Sequence, residues 1–276
     1  MLAWLLCLSI AASAPRLDLF RQDLPREKFS AAIEDNSFLI EEAYNQERRV
    51  VQHITGALIN RRPTQDLLLN FTQEWPAFGP RHQLSYSVSY NRLDGGAISG
   101  LNDILINYRY QLFDEERWAA VAPRLSIILP MGSASKGLGN GAPGVQVCWP
   151  ASKRFSERFA THWNVGFTFV PRAKGSDADQ GTVRRDLLSY FYGASLIFLA
   201  HPNFNLMLEW ITIDNAEFDG SGNVVRRTET IVNPGLRLAV NLGRLQIVPG
   251  LAVPIRWSRG KTRVGIFLYL SFEHPY

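Results

Sequence analysis

Charged side chains recur at alternate positions inside otherwise apolar runs, and these residues have the most chemistry to offer. Asp103, Arg109, Arg124, Glu209, Glu229 and Arg237 each fall on the polar face of a stretch whose other face is aliphatic or aromatic. In a dry interior such a charge is too costly to leave alone, so each must meet an opposite charge or water. Two readings fit: a network of ion pairs that stiffens a filled interior, and a path for a solute. His162 falls on the same kind of face. As a general base it would need a nucleophile such as Ser126 or Ser195 within hydrogen-bond reach, and a lipid hydrolase would need an acid beside them, facing the membrane. The five His (His53, His82, His162, His201, His274) lack metal-ligand spacing, and the glycine-rich stretch from Gly132 to Gly144 lacks the Lys-Ser/Thr ending of a phosphate loop. No catalytic residue, metal or cofactor is therefore expected. Cys148 reads as a small packing residue.

The elements that must position these groups have a period of two. Leu84, Tyr86, Val88 and Tyr90 alternate with Ser85, Ser87 and Ser89; Ile104, Ile106, Tyr108 and Tyr110 oppose Asp103, Asn107, Arg109 and Gln111; Leu206, Leu208 and Trp210 oppose Asn205, Met207 and Glu209. From Val50 onward Gly, Pro, Asn and Asp punctuate this pattern, which predicts many antiparallel strands. A soluble sandwich alternates too. Three features favour a transmembrane barrel instead: strands of about 10 to 13 residues against a globular mean of about 5 to 6, apolar faces that end in aromatics such as Trp75, Trp118, Trp163 and Trp210, and connections that alternate short and long.

Twelve strands are counted, near 50–60, 65–75, 82–92, 101–113, 118–130, 143–150, 159–170, 187–200, 204–214, 228–242, 245–254 and 262–273, with ten or fourteen as alternatives. An even count puts both ends of the barrel in the periplasm. Outer loops are expected at Met131–Pro143, Pro171–Arg185, Asp214–Arg227 and Ile255–Lys261. Pro123, Pro234 and Pro249 each remove a ladder donor, so bulges or weakened pairing are expected there. The expected fold class is all-β, a transmembrane antiparallel β-barrel of about 12 strands with a short amino-terminal helical segment.

Composition excludes several function classes. The chain of 276 residues is 46% hydrophobic and 20% charged, which places it among folded or membrane-embedded chains. Of its 29 basic residues 24 are Arg, scattered as pairs rather than gathered in one patch, so no nucleic-acid partner is expected. Arg184-Arg185, Arg226-Arg227, Arg256, Arg259 and Lys261 would sit on outer loops, where they could meet lipopolysaccharide phosphates or neighbouring Asp177, Asp179, Glu217 and Asp219.

Residues 1–14 read as a signal peptide, apolar from Leu2 to Ile10 and ending in the small-x-small run Ala12-Ser13-Ala14. Residues 15–49 form an amino-terminal segment and residues 50–276 the barrel. Within the segment, Asn36 or Ser37 is expected to cap a helix over residues 38–47. Phe38, Leu39, Ile40, Glu41, Glu42 and Tyr44 would make it a plug in the lumen or, alternatively, a periplasmic cap. In a plug, Glu41, Glu42 and Glu47 could meet Arg109, Arg124 or Arg237. Inward Phe191, Ile197, Met207, Ile211, Phe267 and Tyr269 make one wall apolar, as a path for hydrophobic solutes needs and as simple interior packing also produces.

"SFLIEEAYNQE" at Ser37–Glu47 followed by "VVQHI" at Val50–Ile54 resembles the amino-terminal signature of a family of outer-membrane proteins of Gram-negative bacteria. That family is related to the outer-membrane protein of the phenol-degradation meta-cleavage pathway and to hydrocarbon or fatty-acid transporters. "NYRYQL" at Asn107–Leu112, "PRLSIILPMG" at Pro123–Gly132 and "ATHWNVGFT" at Ala160–Thr168 fit the same pattern. The resemblance implies an outer-membrane barrel with a transport role and transfers no site residues. The expected function is passive uptake of a small hydrophobic or aromatic solute, with outer-membrane lipids and lipopolysaccharide as surroundings; a lipid-acting barrel enzyme or a structural barrel are the alternatives.

Overall fold

The computed structural model describes residues 37–60, 65–177 and 181–276. The signal-peptide reading of residues 1–14 lies outside them. Twelve antiparallel strands make one sheet: β1 (Val50–Asn60), β2 (Asp66–Pro76), β3 (His82–Leu93), β4 (Ile98–Leu101 and Ile104–Tyr110), β5 (Ala120–Val121 and Arg124–Leu129), β6 (Gly144–Cys148 and Ala151–Ser156), β7 (Phe159–Asp177), β8 (Gly181–His201), β9 (Phe204–Phe218), β10 (Val224–Leu238 and Val240–Leu242), β11 (Leu245–Ala252 and Ile255–Ser258) and β12 (Lys261–Pro275). Each pairs with the next, and β1 pairs with β12 from Val50↔Pro275 to Asn60↔Gly265, so the sheet closes and leaves no edge. Both ends of the barrel chain lie on one rim, the near rim.

Alternation decides which way each residue points. On β5, Arg124, Ser126 and Ile128 are buried while Leu125, Ile127 and Leu129 are exposed; on β9, Asn205, Met207 and Glu209 are buried while Leu206, Leu208 and Trp210 are exposed. The outer surface is thus an apolar band, bounded toward the near rim by Phe78, Trp118, Phe155 and Phe159 and toward the far rim by Trp257. Water would make such a surface unstable, whereas hydrocarbon suits it. The barrel is built to span a membrane, and the soluble sandwich is excluded.

Three of the expected outer loops are strand instead. β7 and β8 run on together to Asp177↔Gly181, β9 and β10 to Phe218↔Val224, and β11 and β12 to Ser258↔Lys261. These extensions carry polar residues on both faces, such as Lys174 opposite Arg184 and Asn215 opposite Arg227, so the alternation that marks a half-buried strand disappears while the ladder continues. The connection after β5 is the exception. The strand prolines behave as breaks: Pro123 divides β5, Pro234 sits where β10 passes from pairing with the second to the first part of β11, and Pro249 lies beside the interruption of β10 at Ala239.

Residues 37–49 form no helix. They run as extended, irregular chain, because their backbone N–H groups donate to side chains of the barrel wall rather than to carbonyls four residues back.

Candidate functional site

The interior of the barrel holds residues 37–46. Glu209, with no exposed surface, is the anchor: its Oε1 accepts the backbone N–H groups of Phe38 (2.9 Å), Leu39 (2.8 Å) and Ile40 (3.2 Å), and its Oε2 accepts Asn233 Nδ2 (2.7 Å). Three successive amides around one anion make a nest, a geometry that an α-helix interior cannot offer because its N–H groups are already engaged. The next amides also land on inward side chains: Glu41 N–H on Asn164 Oδ1 (2.7 Å), Ala43 on Ser152 Oγ (2.7 Å), Asn45 on Gln111 Oε1 (3.2 Å) and Gln46 on Gln83 Oε1 (2.6 Å). The segment thereby climbs from the near rim toward mid-barrel.

Its carboxylates meet the buried arginines. Arg124 donates to Glu41 in a fork, Nη2 to Oε1 at 2.6 Å and Nε to Oε2 at 2.8 Å, and its Nη2 also reaches Gln146 Oε1 at 2.8 Å. Arg109 lies 3.3 Å from Glu42, 3.8 Å from Glu41 and 3.8 Å from Glu74. Burial alone would push the Glu41 carboxyl up; the guanidiniums of Arg124 and Arg109 outweigh it and hold the group below the usual carboxylate range. Glu47 is exposed at the near rim.

Its apolar side chains cover the apolar wall. The Phe38 ring stands edge-on to Phe267 (5.7 Å between centroids) and Tyr269 (5.4 Å), and packs against the cluster of Ile197 and Met207. A Cβ on Gly235 or Gly250 would come within 2.5 Å or 2.6 Å of that ring, so the two glycines shape a slot for it. Ile40 packs on Ile211 and Ile231, where a Cβ on Gly193 would lie 2.8 Å from its Cδ1. Tyr44 donates its hydroxyl to Glu115 at 2.9 Å on the near-rim turn.

The other candidates are dispersed. Asp103 accepts the N–H groups of Gly132 (3.0 Å) and Asn140 (2.8 Å), which ties the long connection after β5 to the far half of the wall. Glu229 faces Arg256 at 3.5 Å near the far rim. Arg237 is fully buried beside Gly250, and Phe191 lies against Gly166. His162, fully buried, has Nδ1 2.7 Å from Ser152 Oγ, and its backbone N–H donates to Ser195 Oγ (3.2 Å). This pair faces the lumen, sealed under the segment, and Ser126 instead bonds Arg124. Of the far-rim cations, Arg226 pairs with Asp214, Arg227 and Arg259 with Glu217, and Arg256 with Glu229, while Arg184 and Arg185 are exposed.

Sequence reasoning passed over the neutral amides Asn164, Gln111, Gln83, Gln146 and Asn233, and also Glu74. Their signal was present: most occupy inward positions, where an uncharged amide is costly unless something in the lumen satisfies it.

Between the segment and the wall of β2 to β6 a cavity of about 320 Å³ remains, lined by Phe38, Glu41, Ser85, Ser89, Asn107 and Arg124 among others. Among the described residues no cluster of His, Cys, Asp or Glu is arranged to hold a metal ion.

No family model matches the chain, and no curated protein matches it. Solved structures do. The COG4313 outer membrane channel from Pseudomonas putida F1 superposes with a TM-score of 0.62 at 12% identity over 85% of this chain and 98% of that one. The NanC porin superposes with a TM-score of 0.52 at 7% identity over 82% of this chain and all of that one. At such identities the likeness is one of fold, and the fold is that of bacterial outer-membrane barrels.

Proposed function

We propose that this chain is an outer-membrane channel for passive uptake of small hydrophobic or aromatic solutes, held closed at rest by residues 37–49. The near rim is then periplasmic, and the barrel is a conduit rather than an enzyme. The observation that carries the reading is the seating of the segment: its N–H groups, carboxylates and apolar side chains each have a matched receptor on the wall. Twelve strands enclose a lumen wider than side chains alone fill, so something must occupy it or water will. A segment held by hydrogen bonds and one ring slot can leave as it entered, whereas a covalent part of the wall cannot. Once vacated, Ile197, Met207, Phe267 and Tyr269, with Ile211 beyond Glu209, offer such solutes apolar surface. A lipid hydrolase is not favoured, because the His162–Ser152 pair points into the lumen and away from lipid. The test is single-channel conductance in planar bilayers, comparing the mature protein with one lacking residues through Arg49. Near-silence in the first and steady conductance in the second is the expected result; equal, large conductance in both would place the segment outside the conduction path. The COG4313 and NanC structures, described as a channel and a porin, are of the architecture this reading needs.

A further inference from the structure

The segment that fills the lumen is itself bound like a ligand. Within four residues it presents a flat ring, Phe38, and a carboxylate, Glu41. The ring enters a slot floored by Gly235 and Gly250 and walled edge-on by Phe267 and Tyr269. The carboxylate enters the fork of Arg124, which Gln146 holds in orientation from the other side. The carboxylate receptor, Arg124 with Gln146, borders the 320 Å³ cavity, which reaches to Ser89 and Asn70 in the far half of the wall; on the other side Phe38 itself lines the cavity and covers the ring slot behind it. That volume lies at the lower end of pockets that take small organic molecules.

We propose that the wall recognises small aromatic carboxylates, and that Phe38 and Glu41 occupy that site as built-in stand-ins which such a solute displaces. The inference rests on the closed-channel reading above and names the solute class that opens it. The argument is one of charge and shape. If Glu41 and Glu42 leave together, Arg109 and Arg124 face Glu74 alone at the cavity, so the vacated wall is cationic. A buried guanidinium stripped of its partner is strongly unfavourable, and a neutral hydrocarbon does nothing to relieve it. An incoming carboxylate does, through the same bidentate geometry. The ring slot then discriminates among anions: two glycines whose Cβ atoms would collide with an aromatic ring, flanked by two edge-on aromatics, fit a planar group better than a branched chain. The solute enters from the far rim through the cavity, takes Arg124 from Glu41, and leaves its ring to compete with Phe38.

The experiment uses the full mature protein in planar bilayers with 3-phenylpropionate as probe, against 3-phenylpropanol and propionate at equal concentration. The acid is expected to raise the open-time fraction at least tenfold, on the order of a single lost charge-assisted contact, and the alcohol and the short acid are expected to do little. Calorimetric binding of the same probes to the protein lacking residues through Arg49 should show the same order, weakened by Arg124→Gln and, independently, by Gly250→Ala, which fills the slot without touching the arginine. The alcohol acting as well as the acid would overturn the carboxylate claim, and propionate acting as well would overturn the ring slot. If truncation opens the channel and no probe binds or gates, this inference falls and the closed-channel reading stands; if truncation opens nothing, that reading falls as well.

Discussion

Replacing Glu209 by Gln keeps the shape of the anchor and removes its charge. The three amides of Phe38, Leu39 and Ile40 converge on Oε1 at 2.9, 2.8 and 3.2 Å. A hydrogen bond to a charged group contributes about 1.5–3 kcal/mol and a neutral one about 1, so each bond weakens by about 1 kcal/mol. Three donors on one oxygen do not add fully, which leaves about 2–3 kcal/mol of lost hold. The new amide meets Asn233, which turns its side chain to offer Oδ1 and preserves that contact. The strand is untouched, because Glu209 pairs with Ser195 and Asn233 through the backbone. A loss of 2–3 kcal/mol multiplies the ratio of open to closed by about 30–150-fold. Single-channel recording reads this ratio directly, and heat-modifiable migration on a gel verifies that the barrel is folded. An open-time fraction equal to that of the parent protein, while truncation through Arg49 opens the channel, would refute the claim that the nest on Glu209 holds the segment.

Gly250→Ala places a methyl 2.6 Å from the Phe38 ring and 3.0 Å from Cγ of the flexible Arg237 side chain, so it should unseat the ring and raise the open-time fraction while leaving barrel stability within about 1 kcal/mol of the parent; flickering openings in bilayers are the sign to look for. Because Arg124 and Arg109 lower the Glu41 carboxyl below its usual range, the ion pair stabilises the closed state at and above the usual carboxylate pKa of about 4.3 and loses it as pH falls through the lowered value. Protonation of Glu41 in acid should therefore raise conductance, and Glu41→Gln should abolish that rise by opening the channel at every pH. At the far rim, Arg226, Arg227, Arg256 and Arg259 are already paired with acids, so any hold on lipopolysaccharide phosphates falls to exposed Lys261 and to the pair Arg184 and Arg185. Reversing that pair to Glu should reduce lipopolysaccharide co-purification, and reversing Arg226 and Arg227 should leave it nearly unchanged.

The barrel was legible because burial on one face writes itself into the sequence. Leu206, Leu208 and Trp210 facing lipid and Asn205, Met207 and Glu209 facing inward are readable from order alone, and so are the twelve strand cores. The upper halves of β7 to β12 were not. Above the membrane both faces are wet, so Lys174, Arg184 and Asn215 follow no period even though the ladder continues through them. The helix expected over residues 38–47 failed for a related reason. Phe38, Ile40 and Tyr44 were read as one face of a helix, but the acceptors that straighten the backbone come from strands more than a hundred residues away. Spacing records local partners; Glu209 and Asn164 are distant ones.

The same distance bears on the two ends that the closed-channel proposal gives the inward charges. An ion-pair network that stiffens a filled barrel and a path for a solute were posed as alternatives for Arg109, Arg124 and Glu209. In the folded chain the partners of these groups belong mainly to residues 37–46, a segment that joins the wall at Val50. The network is rigid while residues 37–46 are seated, and it becomes a row of unsatisfied receptors when they leave. A pore lined with permanent wall-to-wall pairs would gain nothing from a displaceable strand of chain. Here the charges of the wall are completed by the segment, so on the closed-channel proposal closing satisfies the interior and opening requires either water or a solute that supplies the same groups.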